Sequence, residues 1–296
     1  ELSTQSVEEL LGRKGTIYRQ WVKIVKNYGL MHQDEKYYWD KEVASLAENL
    51  ARVERLIESE TTTNYQGFKL DKETTNLLLM KVGRAYHTEI NDILLSAFAL
   101  ALTKITEEQS NYILLEGHGR EEIEKHADIT RTVGWFTSMY PVKLNVDQSS
   151  IANTIISIKE CLRQIPNKGI GYGAIYGYKD LPRISFNYLG QFDSGYEEEK
   201  NKEWVVVGEG SGNTVASDNY DSNIINANGA ISNGELSFGV LSKLGLADLT
   251  LLVNEFKEQL ENIIDHTSNL SRSYLTVNDV NNIISQNYLD KIQKER

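Results

Sequence analysis

One cysteine, Cys161, in 296 residues leaves no partner within the chain for a disulfide and no cysteine-rich metal site. The expectation is a reducing, cytoplasmic setting. Basic residues are also scarce, with 31 Lys and Arg against 42 Asp and Glu for a formal charge of −11. Phosphate binding needs a basic face, so a nucleic-acid partner is not expected. Long apolar runs are missing too. The most apolar segment, Ile93 to Leu102, is broken by Ser96 and is half of the ~20 residues a membrane span needs, so neither a transmembrane helix nor a membrane partner is expected. The opening Glu1-Leu2-Ser3 has no basic or apolar leader character, which predicts no signal peptide and a chain cut from something longer. No cluster of His, Cys and carboxylates has metal-ligand spacing, and no repeat period of about 20–50 residues recurs.

What remains is a chain that is 40% hydrophobic and 25% charged, long enough to bury a substantial core. Helical spacing links Trp21, Ile24, Val25 and Tyr28, then Trp39, Val43, Leu46 and Leu50. A β-branched strand over Thr61 to Leu70 precedes Asp71, which can cap a helix carrying Leu77, Leu78, Leu79 and Val82. A buried helix is expected over Asn91 to Thr103, a strand over Tyr112 to Leu115, a polar helix over Glu121 to Ala127 and a strand over Tyr140 to Asn145. A helix marked by Ile151, Ile155, Ile158 and Leu162 leads to a glycine-punctuated loop, Gly169 to Gly173. Strands are expected at Ile184 to Leu189, Trp204 to Val207, Asn223 to Asn228 and Glu235 to Leu241. Glu197-Glu198-Glu199 reads as a solvated loop and Gly208-x-Gly210-x-Gly212 as a mobile turn. Leu249, Leu252, Val253, Phe256, Leu260, Ile263 and Ile264 give the clearest amphipathic helix. Thr276-Val277-Asn278-Asp279 is a capping-box variant before a short helix. Alternation of helices and strands makes the fold class α/β.

Leu115-Glu116-Gly117-His118-Gly119-Arg120-Glu121 places carboxylate, imidazole and guanidinium on a glycine-loosened backbone directly after an apolar strand, where α/β proteins put chemistry. Glu116 is either an ion-pair partner of Arg120 or an acid/base group. The second role requires burial near neutral pH, which the preceding strand is expected to supply. Gly117 and Gly119 read as backbone devices, and His118 as a hydrogen-bonded turn residue. Gly169, Gly171 and Gly173 fit neither a dinucleotide nor a Walker fingerprint.

Five segments occur in order: Asn91-Asp92-Ile93-Leu94-Leu95-Ser96-Ala97, Glu116 to Glu121, Arg131-Thr132-Val133-Gly134-Trp135-Phe136-Thr137-Ser138-Met139-Tyr140-Pro141-Val142, Gly169-Ile170-Gly171-Tyr172-Gly173, and Phe186-Asn187-Tyr188-Leu189-Gly190-Gln191-Phe192-Asp193. With them the chain resembles the epimerization domain of nonribosomal peptide synthetases, in the condensation-domain superfamily. The resemblance implies a chloramphenicol-acetyltransferase-like lobe with a mixed sheet flanked by helices. It divides the chain into a helical remainder of the N-terminal lobe and linker (1–60), the C-terminal lobe (61–270) and a tail or linker (271–296). The family's His-His-x-x-x-Asp-Gly signature is absent, since none of His32, His87, His118, His126 and His266 are adjacent. Gly15 to Trp21 resemble the family's residues just downstream of that signature, so half of an enzyme is expected.

The implied activity is L-to-D epimerization at Cα of an aminoacyl or peptidyl thioester, as part of secondary metabolism and antibiotic biosynthesis. No cofactor or metal would be bound directly; the only group implied is the phosphopantetheine arm of a carrier protein. Implied partners are a peptidyl carrier protein, an N-terminal lobe bearing the His signature, and neighbouring synthetase domains. Glu116 would be the catalytic residue, with His118, Arg120, Trp135, Tyr172, Asn187 and Tyr188 supporting it or contacting substrate. Arg120 resembles the arginine that pairs with the signature aspartate, and the match puts Trp135 near the channel. Trp135, Phe136 and Pro141 otherwise read as core or strand-entry residues, and Asn187 and Tyr188 as a buried strand. A condensation-type acyltransferase and a non-catalytic docking module are the alternatives.

Overall fold

In the computed structural model, which describes residues 12, 14–192, 212, 216, 219 and 221–294, a six-stranded mixed sheet carries helices on its buried face. Three helices come first: α1 (Tyr18–Met31), α2 (Gln33–Glu42) and α3 (Leu46–Glu54). Next come β1 (Asn64–Lys69), α4 (Lys72–Leu77), a π turn (Leu78–Val82), α5 (Gly83–Tyr86) and α6 (Ile90–Thr106). The middle of the chain holds β2 (Ser110–Gly117), β3 (Ser138–Asn145), α7 (Ile151–Gln164), a 3₁₀ turn (Pro166–Gly169), α8 (Ile170–Tyr176) and β4 (Ile184–Gln191). It closes with β5 (Ile225–Ser232), β6 (Glu235–Ser242), α9 (Leu246–Ser268) and α10 (Gln286–Lys294). The strand order is β1-β6-β5-β4-β2-β3, with β4 parallel to both its neighbours and every other pair antiparallel.

Alternation along the strands divides the sheet into two unlike faces. Ile113, Leu115, Phe186, Ala227, Phe238 and Val240 turn toward α6 and α9 and join one core with Phe98 and Phe256. The rings of Phe98 and Phe238 each meet Phe256 edge-on, at centroid distances of 5.2 and 5.0 Å. Full burial of each such side chain stabilises the fold by roughly 1.5–3 kcal/mol. The other face carries Tyr65, Leu189, Asn228 and Glu116, all exposed.

Several expectations are met in detail. Asp71 caps α4 by accepting from the Thr74 amide at 2.8 Å. Asp279 accepts from the Thr276 amide at 2.8 Å. Others need correction. The helix expected through Trp39 and Leu50 is two helices, because the Tyr112 hydroxyl donates to the Glu42 carbonyl at 2.5 Å and pairs with Ser45 at 2.9 Å, breaking the helix at 43–45. Glu121 to Ala127 is not helical. Only Ile123 and Ala127 reach the small cluster of Trp21, Tyr28, Ile129, Phe136 and Ile170, too little apolar surface for a helical stripe. Gly169 to Gly173 is no loop, since it enters α8 and buries Ile170 and Tyr172. Trp204 to Val207, Glu197 to Glu199, Asp193, Gly208 and Gly210 lie outside the described residues.

Candidate functional site

Glu116 is the penultimate residue of β2 and stands opposite Met139 on β3. Leu115 packs half-buried against the core, so the alternation turns Glu116 to the opposite face with Leu114, where Leu114 is buried and the Glu116 side chain is exposed. The apolar enclosure expected from the preceding strand therefore does not form: that strand buries Tyr112, Ile113 and Leu114 and leaves Glu116 in solvent. The ion pair with Arg120 does not form either. Among the described residues the Glu116 carboxylate has no hydrogen-bond or ionic partner.

The next residues are tied to their own loop. Gly119 takes φ +66°, and a Cβ there would lie 1.7 Å from the Phe136 carbonyl oxygen, so the two backbones touch. The Arg120 amide donates to His118 Nδ1 at 3.0 Å. That bond leaves the proton on Nε2, which lies 3.3 Å from Glu121 Oε1. Arg120 sends its guanidinium to the carbonyls of Ile129 (2.5 Å) and Thr132 (2.9 Å) and over the Phe136 ring, 3.9 Å from the centroid. It braces the 129–136 loop of this chain without any carboxylate.

The remaining candidates separate. Trp135 is 80% exposed on the braced loop, and its carbonyl accepts from the Tyr18 hydroxyl at 2.5 Å. Tyr172 lies in the core, edge-on to Trp39 at 5.2 Å, and burial pushes its hydroxyl pKa up. Tyr188 packs against the same core, on the face opposite Glu116, and burial raises its pKa as well. Asn187 is on the face of Glu116. Leu114 bridges Ser185 in the parallel β2–β4 pair, and Glu116 and Asn187 each lie two residues beyond that bridge. Asn187 pairs with Asn228, Asn228 with Gly239, and Gly239 with Gly67. A transverse row of carboxylate, two amides and two glycines thus crosses the open face. It ends in a shallow cavity of about 680 Å³ lined by Tyr65, Gly67, Leu189, Asn226, Asn228 and Gly239.

Sequence reasoning missed Asn228, Glu121 and Ser138. Asn228 was legible only as an alternating polar position within a strand. Ser138 Oγ is buried without a hydrogen-bond partner among the described residues, and the buried Glu121 Oε1 meets His118 Nε2 at 3.3 Å without hydrogen-bond geometry. Beside them, burial and the charge of Glu121 push the Tyr140 hydroxyl up to about 12. Among the described residues no group of His, Cys and carboxylates could hold a metal ion, and no helix is long and apolar enough to cross a membrane.

A carboxylate with no partner among the described residues, on one face with two amides, can exchange a proton with a ligand oriented across the sheet. Comparison with known proteins shows which family uses this scaffold: the condensation-domain model matches residues 4–283. The chain belongs to the condensation-domain family. This condensation-domain chain is 35% identical over 267 residues to N-(5-amino-5-carboxypentanoyl)-L-cysteinyl-D-valine synthase of Amycolatopsis lactamdurans, covering 89% of the chain and 7% of the relative. It is 35% identical over 298 residues to bacitracin synthase 3 of Bacillus licheniformis, covering 94% of the chain and 4% of the relative. It therefore spans only a small part of these synthases.

Among solved structures, the epimerization domain from the third module of tyrocidine synthetase B aligns with a TM-score of 0.67 at 29% identity, over 90% of this chain and 62% of that one. The first condensation domain of the calcium-dependent antibiotic synthetase shares the fold, with a TM-score of 0.54 at 13% identity over 80% and 52%. These matches agree with the resemblance drawn from the five sequence segments.

Proposed function

We propose that this chain carries the acid/base half of an epimerase acting on an aminoacyl or peptidyl thioester borne by the phosphopantetheine arm of a carrier protein in nonribosomal peptide synthesis. The observation that carries this reading is Glu116: a carboxylate at a strand end, without a partner among the described residues and level with Asn187, in a chain 29% identical to a solved epimerization domain. The thioester carbonyl acidifies the Cα–H bond. Glu116 takes that proton, the electron pair moves into an enolate-like oxygen, and an acid on the covering lobe gives a proton to the opposite face of Cα as the enolate electrons return to carbon. No other bond is made or broken. General acid/base catalysis of this kind contributes roughly 10²–10⁴-fold. The rest comes from holding the tethered substrate and from donors aimed at the developing oxyanion, for which Asn187 and Asn228 are placed.

A carboxylate open to water is a weak base for this task, so the reading includes a covering lobe. That lobe carries the His-His-x-x-x-Asp-Gly signature and lies on the open sheet face. Neighbouring synthetase domains deliver and receive the substrate. The test offers an L-aminoacyl carrier protein to the chain together with such a lobe and determines the chirality of the released amino acid. A D/L mixture supports epimerization. Amide formation with a second carrier-bound amino acid would assign acyl transfer instead, and binding without either reaction would assign docking.

A further inference from the structure

We propose that Glu35 is a positioning residue for Glu116: through Tyr28 and Asn167 it holds the left-handed corner that backs the end of β2. The role in catalysis rests on the epimerase reading above; the mechanical link does not. Glu35 is only 6% exposed. Its Oε1 accepts from the Tyr28 hydroxyl and from Asn167 Nδ2 at 2.9 Å, while the same Nδ2 lies 2.5 Å from the Tyr28 oxygen. No cation pairs with it among the described residues. A carboxylate buried among neutral donors is costly, so what it holds in place matters. Burial and the Glu35 charge push the Tyr28 pKa well above its usual range, keeping the hydroxyl a donor.

What Glu35 holds is a corner that the chain does not favour. Asn167 (φ 42°), Lys168 (φ 53°) and Gly169 (φ 80°) are three successive left-handed residues. L-residues other than glycine visit that region singly, and such strain persists only where the surroundings over-determine it. The corner touches the candidate site on its far side. A Cβ at Gly117, the residue after Glu116, would lie 3.2 Å from the Lys168 carbonyl oxygen. Gly169 lies against the ring of Tyr140, which faces Leu115 across the hairpin. On the near side Glu35 Oε2 abuts Gly171, where a Cβ would sit 1.9 Å away, so the carboxylate cannot back off toward α8.

Two readouts test this. In ¹⁵N-labelled chain, Glu35→Gln and the milder Tyr28→Phe should both shift the Gly117 and Ser138 amides, whereas Asp279→Asn, which breaks an ion pair with Lys159 outside this network, should not. In the domain completed with its second lobe, Glu35→Gln should lower kcat for α-proton exchange by about ten-fold or more, with KM for the aminoacyl carrier protein unchanged, as expected when a reacting group is displaced. Unmoved Gly117 amides in both variants would overturn the proposal, as would full kcat in variants whose amides move. If the wild-type domain exchanges no proton, the epimerase reading falls, and shifted Gly117 amides would still uphold the mechanical link.

Discussion

Glu116 on β2 and Asn187 on β4 lie level on one face of the sheet, each two residues past the Leu114–Ser185 bridge, and neither side chain has a partner among the described residues. Asn228 extends the row on β5.

Asn187→Ala and Asn228→Ala should each slow epimerization in the completed domain by roughly ten-fold, the scale of one lost hydrogen bond to a developing charge. Unfolding free energy should stay within about 0.5 kcal/mol for both, because neither side chain is buried. Chirality analysis of the released amino acid and urea unfolding check the two halves.

Arg120→Ala should cost about 2 kcal/mol of stability, since it removes two charge-assisted bonds to carbonyls and a guanidinium stacked on Phe136. Arg120→Lys should recover little, because an ammonium reproduces neither the fork nor the stacking. Trp135→Ala on the same loop should leave stability unchanged within about 0.5 kcal/mol, its side chain being almost wholly in solvent. Denaturant titrations of the three variants are the check.

The segment after α9 is clamped by a buried ion pair. Lys159 Nζ, 2% exposed, donates to both oxygens of Asp279 (2.8 and 2.6 Å) and to the Tyr86 carbonyl at 2.8 Å. Burial works against ionisation of Asp279, but the bond and charge of Lys159 together with the hydrogen bonds from Thr276 outweigh it and hold the carboxyl below its usual range. A depressed folded-state pKa stabilises above the unfolded value of about 3.9, and that contribution is lost as pH falls through the folded value. Asp279→Asn should therefore cost about 3 kcal/mol at pH 7, where it strands the Lys159 charge. The gap to wild type should narrow below about pH 4, as unfolding at pH 7 and pH 3 would show.

How far the sequence could be read is clear from these residues. Periodicity located the core helices and the strands that lie among the described residues because burial enforces it, as in the Phe256 helix. It failed wherever a tertiary contact overrode local pattern: the Tyr112 hydroxyl breaking the helix at 43–45, and Glu35 packing on Gly171 within α8. The apolar run before Glu116 was visible, but the parity that turns Leu115 toward the core and exposes Glu116 depends on which face the helices cover. Tyr172 and Tyr188 carried the same ambiguity and fell on the core side. Arg120 was expected to pair with the signature aspartate, whereas the partners it has here, two carbonyls 9 and 12 residues away, carry no side-chain signature.

The most direct test is washin of solvent deuterium at Cα: wild-type chain and Glu116→Gln, each combined with a lobe bearing the His signature, are given an aminoacyl carrier protein in D₂O. The account predicts deuterium and inverted configuration with wild type, and a loss of about 10²-fold or more with Glu116→Gln while the fold is retained. Equal exchange by the two proteins would contradict it.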